Sequence, residues 1–473
     1  AKGYDLHSVA GFNGKYDMAR ASMDFALSYE GIHDKGINAD AVVGPGYFNG
    51  FELPVKGNYN AVEGKAGIHS NDDGMSSFKY GADLMYRYSI SDEYSYEDWW
   101  RSIKSNDIAL TSELGPVIDE THSVLVGVGM LLSTYAAPAS YLRLYPYEGL
   151  DDEFMHSQAG HLYVAPHYVL SSYRMKLQAG LKLDMAIASK NEFIGSLPIN
   201  QNRGQLIYPD VRFDYQLIRE HLDVYAAVTG GVDHNSYTSL KQEDHFYRAV
   251  NSSSLWNPVS MNTVERFNAK LGFRGNVASV FRYDLSGGYA SYGGYRHSVV
   301  GYEFMRFGTL GRPSLVSGGG PFFGYDDAHV AYADFRFALD LGSVLFDGGL
   351  TYTHTDLLKN EKAGFSPSPL VGNVSFRYDW KNRISAGIHA DGALRRNGLW
   401  GSNVDYIESI ESIRQYEVFI PGFVNLGIDA SFAFNRKLSV WLKGDNLLCQ
   451  AIQRTPLYAE KGIKFTAGIC LNL

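Results

Sequence analysis

Between Tyr173 and Ile187 the chain alternates between apolar and polar residues. Tyr173, Met175, Leu177, Ala179, Leu181, Leu183, Met185 and Ile187 form one set, and Arg174, Lys176, Gln178, Gly180, Lys182, Asp184 and Ala186 form the other. Successive side chains of a strand point to opposite faces, so this segment predicts a strand with one apolar face and one charged face. Fifteen residues span roughly 50 Å at the usual rise, whereas an ordinary strand has about five or six residues. A long strand of this kind suits a wall between lipid and water.

The same pattern recurs along the chain. Met23, Phe25 and Leu27 alternate with Ser22, Asp24 and Ala26, and Tyr80, Ala82, Leu84, Tyr86 and Tyr88 alternate with Lys79, Gly81, Asp83, Met85 and Arg87. Val211, Phe213, Tyr215 and Leu217 face away from Arg212, Asp214 and Gln216, and Leu222 follows after a tight turn at Arg219 and Glu220. Further on, Phe335 and Phe337 alternate with Asp334 and Arg336, Phe376 and Tyr378 with Arg377 and Asp379, and Leu426 and Ile428 with Gly427 and Asp429. The last such row is Phe465, Ala467, Ile469, Leu471 and Leu473. Counted this way, about twenty strands are predicted. Helical periodicity is weak, and residues 92–105 are the best candidate for a short loop helix.

Short and long connections alternate. The short ones lie near residues 71–75, 115–120, 171–172, 219–220, 275–278, 342, 381–382 and 435–436. The long ones lie near 46–57, 92–105, 137–156, 189–204, 234–261, 297–326 and 396–421. This is the arrangement of an outer-membrane barrel with short periplasmic turns and long extracellular loops. The expected fold is therefore all-β, a transmembrane antiparallel β-barrel of 20–22 strands forming a single domain over residues 1–473. An unpaired backbone edge is costly in hydrocarbon, so the first strand is expected to close on the last. An even count places both termini in the periplasm.

Composition changes this picture little. Hydrophobic residues make up 45% of the 473 and the mean hydropathy is −0.20, but a barrel averages its lipid face against a polar lumen. No run of about eighteen apolar residues marks a transmembrane helix. The 34 tyrosines suit interfacial belts. A formal charge of −9 without a basic run argues against a nucleic-acid partner. The alternative of a soluble sandwich, propeller or solenoid does not account for strands this long with an uncharged face, and no blade-length repeat is found. The chain begins at Ala1 without the pattern of a signal peptide. Cys449 and Cys470 fall at opposite ends of the final hairpin and are expected to be free thiols.

Candidate chemistry is sparse. The inward set includes Lys79, Asp83, Arg87, Arg174, Lys176, Asp184, Asp334, Arg336, Arg377, Asp379 and Asp429. It reads as a hydrated wall with cross-strand ion pairs or, more sharply, as a charge-lined substrate path; mixed signs argue against strong ion selectivity. Asp151, Asp152, Glu153 and His156 form either a solvated acidic patch or a divalent-cation site. Trp99 and Trp100 form a loop-packing pair or a contact surface. The run 318–324 is glycine-rich but lacks the Lys-Ser/Thr of a phosphate loop, and reads as a mobile loop able to fold inward. No nucleophile elbow, Walker loop or zinc helix motif is present. No catalytic, cofactor-binding or metal residue is assigned, no cofactor is implied, and an enzyme is not expected.

Three stretches near the C-terminus carry a family likeness. The run 438–448, Leu-Ser-Val-Trp-Leu-Lys-Gly-Asp-Asn-Leu-Leu, is followed by Thr-Pro-Leu-Tyr at 455–458 and Gly-Ile-Lys-Phe-Thr-Ala-Gly at 462–468. Together they resemble the end of TonB-dependent receptor barrels, especially those of Bacteroidota. Ala10-Gly-Phe-Asn-Gly-Lys-Tyr16 resembles the first barrel hairpin of that group. The resemblance implies a barrel of about twenty-two strands, an N-terminal plug domain and a short segment that contacts TonB. Strands here begin by about Tyr4, so no plug is expected within this chain: either a plug lies upstream of Ala1, or the chain is a plugless relative whose lumen holds an inward-folded loop or a partner. The implied role is transport of solutes across the outer membrane; the alternative is a non-transporting subunit or scaffold of a multiprotein outer-membrane complex. Expected partners are outer-membrane lipid and lipopolysaccharide, with a plug, lipoprotein or other outer-membrane protein as further candidates.

Overall fold

The computed structural model describes residues 6–37, 53–71, 77–94, 100–138, 154–188, 207–243, 262–306, 313–317, 321–358, 368–381, 383–403, 414–455, 458–460 and 462–471. The first half contains β1 (Leu6–Asp17), β2 (Ala21–Ile37), β3 (Leu53–Ser70), β4 (Phe78–Tyr94), β5 (Trp100–Pro116), β6 (His122–Pro138), β7 (Phe154–Ser171), β8 (Met175–Ala188), β9 (Ile207–Ile218) and β10 (Leu222–His234). A short helix, α1 (Tyr237–Glu243), comes next, then β11 (Asn262–Val277) and β12 (Phe281–Arg306). The remainder is β13 (Pro313–Ser317), β14 (Pro321–Asp340), β15 (Val344–Leu357), β16 (Leu370–Trp380), β17 (Ile384–Ala393), β18 (Arg396–Asn403), β19 (Arg414–Ile420), β20 (Phe423–Ala433), β21 (Leu438–Asp445), β22 (Ile452–Thr455), β23 (Tyr458–Glu460) and β24 (Lys464–Leu471).

One sheet holds 22 of these strands, and β22 and β23 pair separately. Each strand of the wall pairs antiparallel with the next in the chain, from β1–β2 through β12–β14, β17–β20 and β20–β21 to β21–β24. Three strands are extensions rather than additional staves. β13 continues the line of β14 against the end of β12, while β18 and β19 continue the hairpin of β17 and β20. Among the described residues the wall is therefore a meander of nineteen staves, against the twenty to twenty-two expected. Alternation fixes its faces. Leu181, Leu183 and Met185 are exposed on the outside, while Asp184 is buried on the inside.

The short turns gather at one rim and the long connections at the other. Turn chemistry explains the tightness of the first set. Ala278 and Ser279 both have positive φ between Val277 and Val280, the hairpin geometry that matches strand twist. Gly342 takes φ 81° while its N–H donates to Asp340 Oδ1 at 2.9 Å.

Several expectations are corrected. Residues 92–94 and 100–105 are strand rather than loop helix: β4 and β5 run on past the expected boundary, with Tyr94 opposite Trp100. Both segments alternate well enough to extend the ladder, and residues 95–99 lie outside the described residues. Likewise Pro321–Gly324 is not an inward-folding loop, since β14 begins there and pairs with β12, Gly324 opposite His297. Residues 318–320 lie outside the described residues. Arg174 and Tyr173 fall in a turn, one step before the wall.

The expected seam is absent among the described residues. β1 pairs with β2 alone and β24 with β21 alone. Side chains on these edges stand clear, with Val9 and Ile469 each 70% exposed. The parity differs too. Leu6 lies at the long-loop rim, opposite His33, whereas Leu471 lies at the short-turn rim, opposite Leu438. An even count would have put both ends at one rim.

Candidate functional site: the lumen and its inward strap

The lumen divides into two levels. Toward the long-loop rim it is packed. Tyr208, Val232 and Val264 form a buried cluster with Ala186 against it, and Tyr59 on β3 and Ile103 on β5 are fully buried. The chain turns inward here because of bulges at one height on neighbouring staves. The register shifts between Thr229 and Gly231 in β10–β11, between Glu265 and Phe267 in β11–β12, and between Tyr292 and Tyr295 in β12–β14. A bulge bends its strand and adds twist, and β10 leaves the wall to become α1.

Ser236 starts the helix. Its Oγ accepts the Ser239 N–H at 3.1 Å, an N-cap contact, while its hydroxyl donates to Asp107 Oδ2 on β5, also at 3.1 Å. Thr238 Oγ1 lies 3.3 Å from Ser89 Oγ on β4 and 3.3 Å from Ser105 Oγ on β5. Arg87 on β4 donates to Gln242 Oε1 at 2.9 Å, and Gln242 Nε2 reaches Glu30 Oε2 on β2 at 3.4 Å. Arg87 also pairs with Glu63 on β3. At the other side Arg296 on β12 binds Glu243 and Asn235. Leu240 is completely buried. The segment 235–243 is thus a strap across the lumen, tied to β2, β4 and β5 on one side and to β12 on the other.

Below the strap lies a vestibule of about 930 Å³, lined by residues that include Lys79, Glu113, His167, Lys176, Lys182, Asp210 and Arg212. Charged side chains here pair both along a strand and across strands. Lys182 lies 2.8 Å from Asp184, which also accepts the Val232 N–H at 3.0 Å. His167 Nε2 lies 3.0 Å from Glu113, with Nδ1 3.0 Å from the Ala165 carbonyl. Further round the wall Arg274 meets Asp214 at 2.7 Å, and Arg377 meets Asp429 at 4.0 Å. The expectation of cross-strand ion pairs is met at Arg87, Arg377 and Asp429, whereas Asp184 pairs with Lys182 of its own strand.

Other candidates do not join this site. Asp151, Asp152, Glu153 and Trp99 lie outside the described residues. His156 pairs in β7 opposite Ala136, and Trp100 opens β5. Cys449 and Cys470 are both exposed and neither is in a disulfide. The strap itself went unassigned in the sequence, because seven helical residues are too few for a period. The one local signal was Ser236, a preferred N-cap type.

No family model matches the sequence, and no curated protein matches it. Similarity is found with solved structures. A copper transporter, OprC, is 13% identical with a TM-score of 0.60, the match covering 99% of this chain and 72% of that one. An FrpB iron transporter from Neisseria meningitidis is 10% identical with a TM-score of 0.64, covering 99% and 71%. The ferric-catecholate import receptor Fiu from K12 E. coli is 11% identical with a TM-score of 0.60, covering 99% and 75%. At such identities the likeness establishes the fold alone, the large antiparallel sheet that these transporters and receptors share.

Proposed function

We propose that this chain forms the wall of a bacterial outer-membrane barrel of TonB-dependent-receptor type that takes part in solute passage, with α1 as a constriction in its lumen. The observation that carries the reading is the pairing of an apolar, exposed outer face with a polar lumen crossed by a hydrogen-bonded strap. Leu181, Leu183, Phe376 and Ile428 would face hydrocarbon. Each unpaired backbone group there is costly, and the antiparallel ladder satisfies all but the edges. In this orientation the long connections are extracellular and the short turns periplasmic, so Leu471 lies on the periplasmic side and Leu6 on the extracellular side. Lipid and lipopolysaccharide surround the wall, and the vestibule is the surface a plug or lipoprotein partner would meet. The similar structures named above are a copper transporter, an iron transporter and a ferric-catecholate import receptor.

Planar-bilayer conductance tests the reading. The full chain is expected to insert from detergent with low conductance, and a variant with residues 237–243 replaced by a Gly/Ser linker is expected to conduct several-fold more. A chain that stays in the aqueous phase without detergent, or a barrel equally closed in both forms, would overturn it.

A further inference from the structure

We propose that Asp24, His69 and Asp83 form a binding site for a divalent transition-metal cation of the zinc class on the lumen wall near the short-turn rim. The three belong to adjacent staves β2, β3 and β4, and their ligand atoms lie within 4.8 Å of one another. His69 Nε2 is 3.1 Å from Asp83 Oδ1 and 3.7 Å from Asp24 Oδ1. A tetrahedral ion with bonds of about 2.0–2.2 Å holds its donors roughly 3.4 Å apart, inside that envelope.

The ladder register builds the triangle. Asp24 is opposite Gly67 and Gly67 is opposite Asp83, so the two carboxylates flank one residue of the central strand. That residue has no side chain. A Cβ on Gly67 would lie 2.6 Å from the Asp24 carboxylate oxygen and 2.7 Å from that of Asp83. The glycine is thus what lets both carboxylates lean inward over the strand. His69, two positions along β3 on the same face, closes the third corner. Its ring is seated over Gly81, where a Cβ would come within 2.9 Å of Nδ1. Two glycines on neighbouring strands clear space for the same three donors.

The chemistry selects the ligand. A single imidazole nitrogen carries at most one proton, so Nε2 donates to one carboxylate and leaves the other facing it. A cation in the triangle satisfies all three atoms and removes the repulsion between the acids. One imidazole with two carboxylates suits zinc-class ions, whereas calcium and magnesium favour all-oxygen sets. Three protein donors leave a position open to water or a further ligand. The side chains are about half exposed, and His69 and Asp83 line the vestibule, so an ion can enter from the lumen. The site does not depend on the passage role proposed above.

Titration calorimetry of the detergent-solubilised full chain with Zn²⁺ provides the test. The unaltered chain is expected to bind one more equivalent than His69→Ala or the double variant Asp24→Asn/Asp83→Asn, with at least ten-fold weaker binding at this site in either. Gly67→Val keeps every donor but fills the cradle, and is expected to lose the same equivalent. Far-UV circular dichroism reports folding of each variant. A measurement that needs no variant is Zn²⁺ protection of His69 from diethyl pyrocarbonate, read by mass spectrometry. Equal stoichiometry and affinity in all four chains, or undiminished His69 modification under Zn²⁺, overturns the site. Displacement of Zn²⁺ by equimolar Ca²⁺ or Mg²⁺ overturns the assigned metal class.

Discussion

Ser236 on the strap and Asp107 on β5 share a 3.1 Å hydrogen bond in the packed level of the lumen, 129 residues apart in sequence. The same Ser236 oxygen caps α1. One side chain therefore both starts the helix and fastens it to the opposite wall. Ser236→Ala is expected to weaken the strap by about 1–2 kcal/mol, the scale of a lost cap and a lost hydrogen bond to a charged group. Amide exchange of residues 237–243 should rise in this variant while exchange in β8 and β9 is unchanged.

Lys182 and Asp184 form the second test. Asp184 is almost fully buried and depends on Lys182 Nζ and the Val232 N–H. Removing one partner of a buried pair leaves an uncompensated charge, with a cost of about 3–5 kcal/mol. Lys182→Met should lower the unfolding midpoint in urea-containing detergent more than the double variant Lys182→Met/Asp184→Leu. Equal losses would mean that the pair is solvated.

The outer face gives the third. Leu183 is exposed on β8 opposite Val164. Arginine near the bilayer midplane is unfavourable by about 2–4 kcal/mol. Leu183→Arg should therefore destabilise the barrel in lipid, whereas Lys176→Gln, on the lumen face of the same strand, should change little. Unfolding in phospholipid vesicles distinguishes the two.

The turn between β5 and β6 gives a pH dependence. Asp119 Oδ1 accepts the Thr121 hydroxyl and the N–H groups of Thr121 and His122, each at 2.8 Å. These bonds, the Thr121 hydroxyl first, hold its carboxyl below the ordinary aspartate range. A depressed folded value means the stabilisation is present above the unfolded pKa and is lost as pH falls through the folded one. NMR titration of the Asp119 carboxyl carbon should give a midpoint below that of an unstructured peptide. Thr121→Val should move the midpoint back up.

The wall was legible residue by residue. Leu181, Lys182, Leu183 and Asp184 point where period-two alternation put them, because nothing local competes with it in a long strand. Two features were not. The strap at 237–243 is tied by Arg87, Gln242 and Glu30, whose separations of 155 and 212 residues leave no local mark. The triangle of Asp24, His69 and Asp83 depends on ladder register, and a one-residue slip would send each donor to the other face. Sequence spacing alone carries no register across a long loop. The helix expected at 92–105 failed for a related reason, since pairing across β4 and β5 outweighs a weak local preference.

The two outermost staves, β1 and β24, both run toward the short-turn rim. Side by side they would make a parallel pair, unlike every other junction in the nineteen-stave meander. An antiparallel closure needs an odd number of strands between them, since each addition reverses direction. Any partner or segment that completes this wall therefore obeys a counting rule: one strand or three will fit the seam as an antiparallel sheet, and two will not.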